Sequence, residues 1–326
     1  MRVLVTGATG FLGGMLLRHL HAHRYATVAL GRDETRCRLL DAAGFATVRA
    51  DLSQPVQHLA AGIGAVDAVV HCAALSAPFG RYAAFHAANV EGTRNALDLA
   101  EALGVRRFVN ISSPTVYFEL KDKTGVREIA PLPKPINAYA RSKAEAERLV
   151  LARRSVGPVN LRPRGIYGAG EETLLPRLVG AARRGPLPLL RGGTAAIDLT
   201  HVDDVVAAIT AALSPDPALA GETFNISGGE MQPVLEIVGR VCAALDVPLR
   251  WKRVPFHPAL AAARIVELVS LARTNPREPL VTPYTLGLFA FRQSLDISKA
   301  RDLLGWQPQV PFDIGLSATL AGRRAP

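Results

Sequence analysis

Thr6-Gly7-Ala8-Thr9-Gly10-Phe11-Leu12-Gly13 is the stretch that decides the fold. It follows the apolar run 2–6 and opens a helical pattern of Phe11, Leu12, Met15, Leu16 and Leu20. Gly7 permits a tight turn, Gly10 lets backbone approach a pyrophosphate, and Gly13 lets the helix lie close on the strands. The helix start then offers free N–H groups and a positive dipole end to phosphate. Three glycines at this spacing are a weak signal alone. The strand before them and the helix after them supply the context of a dinucleotide loop. Gly7, Thr9, Gly10, Phe11, Leu12 and Gly13 are therefore candidate cofactor contacts, and a ligand-free structural turn is the alternative reading.

Further apolar runs at 27–30, 46–50, 68–72, 107–112, 158–161 and 222–226 read as strands, with helical patterns such as 88–103 and 137–154 between them. Nearly continuous apolar strands alternating with helices predict a parallel sheet covered on both faces, an α/β doubly wound fold. After Pro163 the rhythm loosens. Proline and glycine cluster at 185–193, a helix follows His201-Val202-Asp203-Asp204, and 228–292 is irregular with alanine- and leucine-rich helices.

Composition sets limits. The 326 residues are 49% hydrophobic and 20% charged, an ordinary globular balance with enough chain for a large domain and a smaller lobe. The net charge of +10 is spread along the chain, without a basic block or nucleic-acid motif, so no nucleic-acid partner is expected. Cys37, Cys72 and Cys242 lack metal-type spacing and read as free thiols of a reducing, cytoplasmic setting. No signal peptide is expected, and no run of 18 uncharged apolar residues suggests a span. His19, His21 and His23 invite a metal reading, but no acidic or cysteine partner is evident nearby, so no metal site is expected.

The end of the second strand selects the cofactor. A carboxylate there suits the ribose 2′-OH of NAD, an arginine the 2′-phosphate of NADP. This chain has Gly31-Arg32, with Arg36 one helical turn later, which favours NADP(H) over NAD(H). Asp33 follows directly and keeps NAD open. Asp51 and Leu52, after the third strand, are placed to meet the adenine edge.

Tyr139-Ala140-Arg141-Ser142-Lys143 begins a helix, so Tyr139 and Lys143 share a face. A free tyrosine titrates near ~10, and a neighbouring ammonium is expected to bring that down toward working pH. Ser113 ends the fifth strand, where such folds place ligand-binding residues, and its hydroxyl can hold a substrate oxygen against Tyr139.

Together the loop, His71-Cys72-Ala73-Ala74, Asn89-Val90-Glu91-Gly92-Thr93, 112–117, Tyr139/Lys143, Leu161-Arg162-Pro163 to Tyr167-Gly168, 201–204 and 296–308 resemble the extended short-chain dehydrogenases/reductases. The resemblance covers nearly the whole chain and is weakest at 255–292. It implies a Rossmann-type domain over 1–163 and about 195–227, and an interwoven C-terminal substrate lobe over about 164–194 and 228–326. It implies that Ser113 positions the substrate oxygen, Tyr139 is the acid/base, and Lys143 tunes Tyr139 and binds the nicotinamide ribose. Tyr139 and Lys143 thus count among the cofactor contacts, with Ala73, Ala74, Pro163 and Ile166. Asn89 is expected to steady the helix beside the site. A homodimer is implied by the resemblance alone.

Within that family, dehydratases carry an acidic pair after the catalytic serine or threonine position; here Pro114 and Thr115 follow Ser113. Sugar-nucleotide enzymes usually have an asparagine where this chain has Gly165, and Arg-Asp-Phe where it has Ile197-Asp198-Leu199. The lobe, with Leu260, Ile265, Val266, Leu268, Val269, Leu271 and 283–291, is similar to the 3β-hydroxysteroid dehydrogenase-like branch and to 2-alkyl-3-ketoalkanoate reductases. The expected function is interconversion of a secondary alcohol and a ketone on a hydrophobic substrate, steroid-like or a 2-alkyl-3-keto acid. These apolar residues either form a greasy pocket, rest on a membrane surface beside Arg264 and Arg273, or merely pack on each other. Two rival functions stand beside this one: a nucleotide-sugar epimerase with tightly held NAD, and a non-catalytic NADP sensor. His201 is expected to be structural, and Asp203/Asp204 to cap a helix.

Overall fold

Seven apolar runs become seven parallel strands: β1 (Arg2–Thr6), β2 (Ala26–Gly31), β3 (Ala46–Arg49), β4 (Ala68–His71), β5 (Arg107–Ile111), β6 (Pro158–Pro163) and β7 (Glu222–Ile226). The structure is a computed structural model and describes residues 1–171 and 174–324. The sheet order is β7-β6-β5-β4-β1-β2-β3. The expected strands are all present, with ends shifted by a residue or two.

Residues of β4, β5 and β6 are buried throughout, which is why their sequences do not alternate. In β1 the two-residue period sorts side chains instead. Val3 and Val5 join Leu16, Leu17 and Leu20 of α1 (Phe11–Ala22) on one face. Leu4 joins Phe108, Leu97 and Leu99 on the other. The chain runs from β1 outward to β3, then returns to lay β4 on the other side of β1. This reversal opens a crevice at the C-terminal ends of β1 and β4, where α/β sheets bind ligands.

The smaller lobe has a four-stranded sheet of Met231–Pro233, Ala196–Asp198, Gln293–Leu295 and Lys123–Val126, in that order. Three segments cross the domain division expected from sequence. Lys123–Val126 comes from within the first domain yet pairs with Gln293–Leu295. Ala196–Asp198 pairs on both its sides with lobe strands. Ile297, Ala300, Leu304 and Trp306 return to the core of the main sheet. Long-range pairing and burial, not chain position, decide these memberships.

The helix that precedes β7, α2 (Val202–Ala212), is capped by His201, whose Nδ1 accepts from the Asp203 amide at 3.3 Å. This corrects the expected capping by Asp203/Asp204. Asp203 sits exposed in the first turn, while the Asp204 carboxylate accepts the amides of Gln309 at 2.7 Å and Val310 at 3.3 Å. Asp204 thus staples the C-terminal segment to α2.

The structure also bears on the three readings of α3 (Phe256–Ala272). Its inward stripe is Leu260, Ala263 and Ser270. Ile265, Val266, Leu268 and Val269 face outward and are more than half exposed, joined by Leu280. Among the described residues no helix is long and apolar enough to cross a membrane.

Candidate active site

The glycine loop is built by close approach. Gly7 has φ +65°, and a Cβ on it would sit 2.6 Å from the Ala73 nitrogen. The loops after β1 and β4 therefore touch across the crevice. A Cβ on Gly13 would overlap the Gly7 carbonyl oxygen. Gly10 is the N-cap of α1 and gives it no side-chain cap, so the first N–H groups of the helix remain available. This glycine cradle and bare helix start fit a pyrophosphate. Leu12 packs toward the core, and Phe11 lies against the glycine turn at Gly168 and Gly170.

A buried network fixes the two loops, and its direction can be read. Thr93 Oγ1 donates to the Asn89 carbonyl at 2.6 Å, so it must accept from His71 Nε2 at 3.1 Å. His71 Nδ1 is then an acceptor for Thr6 Oγ1 at 2.8 Å, and Thr6 Oγ1 accepts the Ala73 amide at 3.4 Å. Burial, helped by the Lys143 charge, lowers His71 to about 3, so it stays neutral as the network requires. Asn89 lies in the π-helical turn His86–Glu91. It exchanges hydrogen bonds with the Leu75 backbone at 2.7 and 3.0 Å and donates to Ser142 Oγ at 2.9 Å. It steadies the loop after β4 against the helix that carries Tyr139, as expected.

That helix, α4 (Ala138–Ala152), lies beside the crevice and is capped by Asn137. Ser113 and Ser76 stand close enough to the Tyr139 hydroxyl to act on its ionisation. Ser113 Oγ in turn lies 2.9 Å from Thr115 Oγ1, which is 3.5 Å from the Tyr284 hydroxyl. Lys143 is buried and donates from Nζ to the Ile111 carbonyl at 2.6 Å. Burial lowers it to about 8, against the pull of Glu147. The expected electrostatic effect on Tyr139 is corrected here. Burial raises the tyrosine, the neighbouring Ser113 and Ser76 hydroxyls oppose that, and Tyr284 adds to the rise. Lys143 is spent on the end of β5, one turn deeper on the helix.

Glu147 is itself clamped. Arg162 on β6 grips it bidentately, Nε to Oε1 at 2.7 Å and Nη2 to Oε2 at 2.5 Å, and also donates to the Tyr117 hydroxyl. Pro163 ends β6 and is buried; Ile166 is half-buried in the following short strand.

The other end of the crevice is a cleft of about 640 Å³ lined by Arg32, Asp33, Arg49, Ala50 and Asp51. Arg32 is exposed there. Arg36 also reaches inward, donating to the Thr9 carbonyl at 3.1 Å, so it braces the glycine loop. Arg49 was not anticipated from sequence; it pairs with Glu34 at 2.7 Å on the same rim. The Ser53 amide, together with the Arg32 charge, holds Asp51 below the usual carboxylate range. Leu52 is buried, its carbonyl held by Asn95 at 2.8 Å. Ala73 is half-buried and Ala74 exposed at the crevice wall. Ser76, Tyr284 and Arg49 are the site residues that motif reading missed. None has a local signature, because each arrives from a loop or a distant segment.

Elsewhere, His19 and His23 stack at 4.1 Å between centroids, and among the described residues no cluster of three metal-ligating side chains forms. Cys72 beside Lys143 is raised by burial to about 12, so its thiol is protonated.

The profile of the NAD dependent epimerase/dehydratase family matches residues 3–227. The chain is 34% identical to a 2-alkyl-3-oxoalkanoate reductase of Stenotrophomonas maltophilia, over 100% of both chains. It is 28% identical to a mouse sterol-4-alpha-carboxylate 3-dehydrogenase, decarboxylating, over 97% of this chain and 89% of that one. Among solved structures, the dTDP-glucose 4,6-dehydratase DesIV of Streptomyces venezuelae, with NAD bound, superposes with TM-score 0.74 at 27% identity, covering 99% of this chain and 97% of that one.

Proposed function

Since this chain belongs to the NAD dependent epimerase/dehydratase family, the extended short-chain dehydrogenases/reductases, and is an oxidoreductase of it, we propose an NADP(H)-dependent reductase of a hydrophobic 3-keto acid. The Tyr139 hydroxyl, set beside Ser113 and Ser76 at the crevice, is the observation that carries this reading.

The glycine loop and the start of α1 would hold the pyrophosphate, and Arg32 the adenosine end. When bound, the nicotinamide supplies or takes the hydride. Ser113 and Tyr139 hold the substrate oxygen between two hydroxyls. Because burial raises Tyr139, it enters the reaction protonated and suits donation to a ketone oxygen as that oxygen gains charge. Lys143 holds its proton close to the ribose side, with Glu147 and Arg162 fixing its helix. Arg32, exposed on a cleft that also carries Arg49, supports NADP over NAD.

The substrate class follows from the two relatives. Both names describe a carboxylate on the carbon next to the one bearing the oxygen. A sugar-nucleotide reading is disfavoured at Gly165. Its φ is +49°, and a Cβ there would lie 2.5 Å from Leu199 Cδ2, so Leu199 occupies the space of the usual asparagine. The exposed apolar face of α3 supports docking of the lobe on a lipid surface.

The test is NADPH oxidation with a long-chain 2-alkyl-3-keto acid. Tyr139→Phe should lower turnover by roughly 10²- to 10⁴-fold with little change in cofactor affinity. Full activity in Tyr139→Phe, or no ketone turnover beside sugar-nucleotide epimerisation, would overturn the proposal.

A further inference from the structure

Arg164 follows directly on β6, at the sheet edge that carries the site. Its backbone is fully engaged: the amide donates to Ile226 at 3.0 Å and the carbonyl accepts from Thr200 Oγ1 at 2.7 Å. Its side chain is the opposite. The residue is 5% exposed. Nε lies 2.8 Å from Asp198 Oδ1, but the two are not aligned for a hydrogen bond. Nη2 is buried with no partner among the described residues. A guanidinium carries five donors, and burying them unmatched is costly. Asp198 balances the charge without supplying the hydrogen bonds. The other buried arginine nearby, Arg162, shows the satisfied alternative in its two-pronged grip on Glu147.

The position of Arg164 says what the missing partner is near. Tyr284 is close enough to Tyr139 and to Arg164 for its hydroxyl to act on the ionisation of both. The same hydroxyl contacts Thr115, which contacts Ser113. β6 pairs with β5 at Leu161 and Ile111, so Arg164 leaves β6 beside the end of β5 that carries Ser113. A planar fork whose Nη2 is buried and unused matches a carboxylate.

We propose that Arg164 anchors the substrate carboxylate, gripping it through the Nη edge while Asp198 holds the Nε edge. This deepens the 3-keto acid reading and rests on it. The anchor sets which face and which carbon meet Tyr139. It also explains a charged group in a site otherwise walled by Phe118 and Tyr284, whose rings meet edge-on at 4.8 Å.

The experiment compares a long-chain 2-alkyl-3-keto acid with its methyl ester, using NADPH. The wild type should prefer the acid. Arg164→Gln should lose roughly 10- to 100-fold in kcat/KM for the acid, chiefly through KM, and change little for the ester. Arg164→Lys, which keeps the charge facing Asp198, should show the same selective loss and guards against a variant that fails to fold. Equal losses on acid and ester would assign Arg164 a purely structural role and overturn the anchor. If the wild type reduces neither compound, the reductase reading falls. The anchor is then judged by equilibrium binding of a 2-alkyl carboxylate against its amide. Weaker acid binding in Arg164→Lys sustains it, and no preference for the acid sinks it.

Discussion

The crevice at the ends of β1 and β4 and the outer face of α3 select their residues in opposite ways. In the crevice small residues are forced by contact. Gly7 touches Ala73, Gly13 touches Gly7, and Thr6, His71 and Thr93 leave each other one direction of hydrogen bonding. On α3, Ile265, Val266, Leu268 and Val269 touch little and face outward. A residue in the crevice is chosen by its neighbours in space. A residue on the outer face of α3 is constrained only by what later meets that face. The first kind leaves a pattern in sequence, because close approach needs glycine and directional bonding needs particular polar groups. The second leaves only hydrophobicity, which reads the same whether it points in or out.

The largest expected effect concerns the most enclosed charge in the crevice. Burial lowers Lys143 to about 8, so its protonated fraction falls as pH rises through that value. If the ammonium is required, kcat/KM should drop about tenfold per pH unit above it. Unfolding does not imitate this. A lysine in the unfolded chain titrates near ~10.4 and binds more protons than the folded one above pH 8. The contribution of this group to stability therefore rises with pH in that window. A flat rate profile from pH 7 to 10, with intact circular dichroism, would mean the crevice lysine is structural. The contrast with α3 would then lose its catalytic side.

Gly13→Ala probes the packing itself. The added methyl meets the Gly7 carbonyl, a backbone atom that cannot swing away. A cost of about 2 kcal/mol corresponds to roughly thirtyfold weaker cofactor binding. Titration calorimetry with NADP⁺ measures it. Unchanged affinity would show that the loop has slack and is not set by contact.

These two regions also explain what was legible beforehand. The seven strands and the loop were readable because each is locally periodic or glycine-marked. Ser113, Tyr139 and Lys143 were readable as a set because Ser113 and Tyr139 sit at element ends, where the fold puts site residues, and Lys143 follows Tyr139 by one helical turn. The lowering of Tyr139 by Lys143 was misread. Residues four apart share a helix face, but sharing a face does not fix how deep each side chain reaches, and Lys143 reaches Ile111. Ser76 and Tyr284 were invisible for another reason. They meet Tyr139 and Thr115 only through tertiary packing, with Tyr284 arriving 169 positions from Thr115. The orientation of α3 stayed open similarly, since its apolar residues cover more than one face and a period does not choose between faces.

A smaller effect tests the exposed end of the crevice. Arg32 lies open to solvent, so its grip on a 2′-phosphate is partly screened. Arg32→Ala should weaken NADPH by about tenfold and leave NADH nearly unchanged, read from KM for each cofactor. Equal losses would transfer the 2′-phosphate contact to Arg49, whose side chain lines the same cleft.

The smallest effect on chemistry is expected on α3. Val266→Ser with Leu268→Ser removes exposed apolar surface without touching the stripe of Leu260, Ala263 and Ser270. Turnover of a short, soluble ketone should stay within about twofold, because surface substitutions of this kind change stability by only about 0.5 kcal/mol. Flotation with anionic vesicles should fall, since Arg264 and Arg273 flank the removed surface and cannot hold it there alone. A large loss of turnover on the short ketone would mean that the outer face of α3 is coupled to the crevice. Its apolar residues would then belong with the contact-set residues, and the division between the two regions would fail at α3.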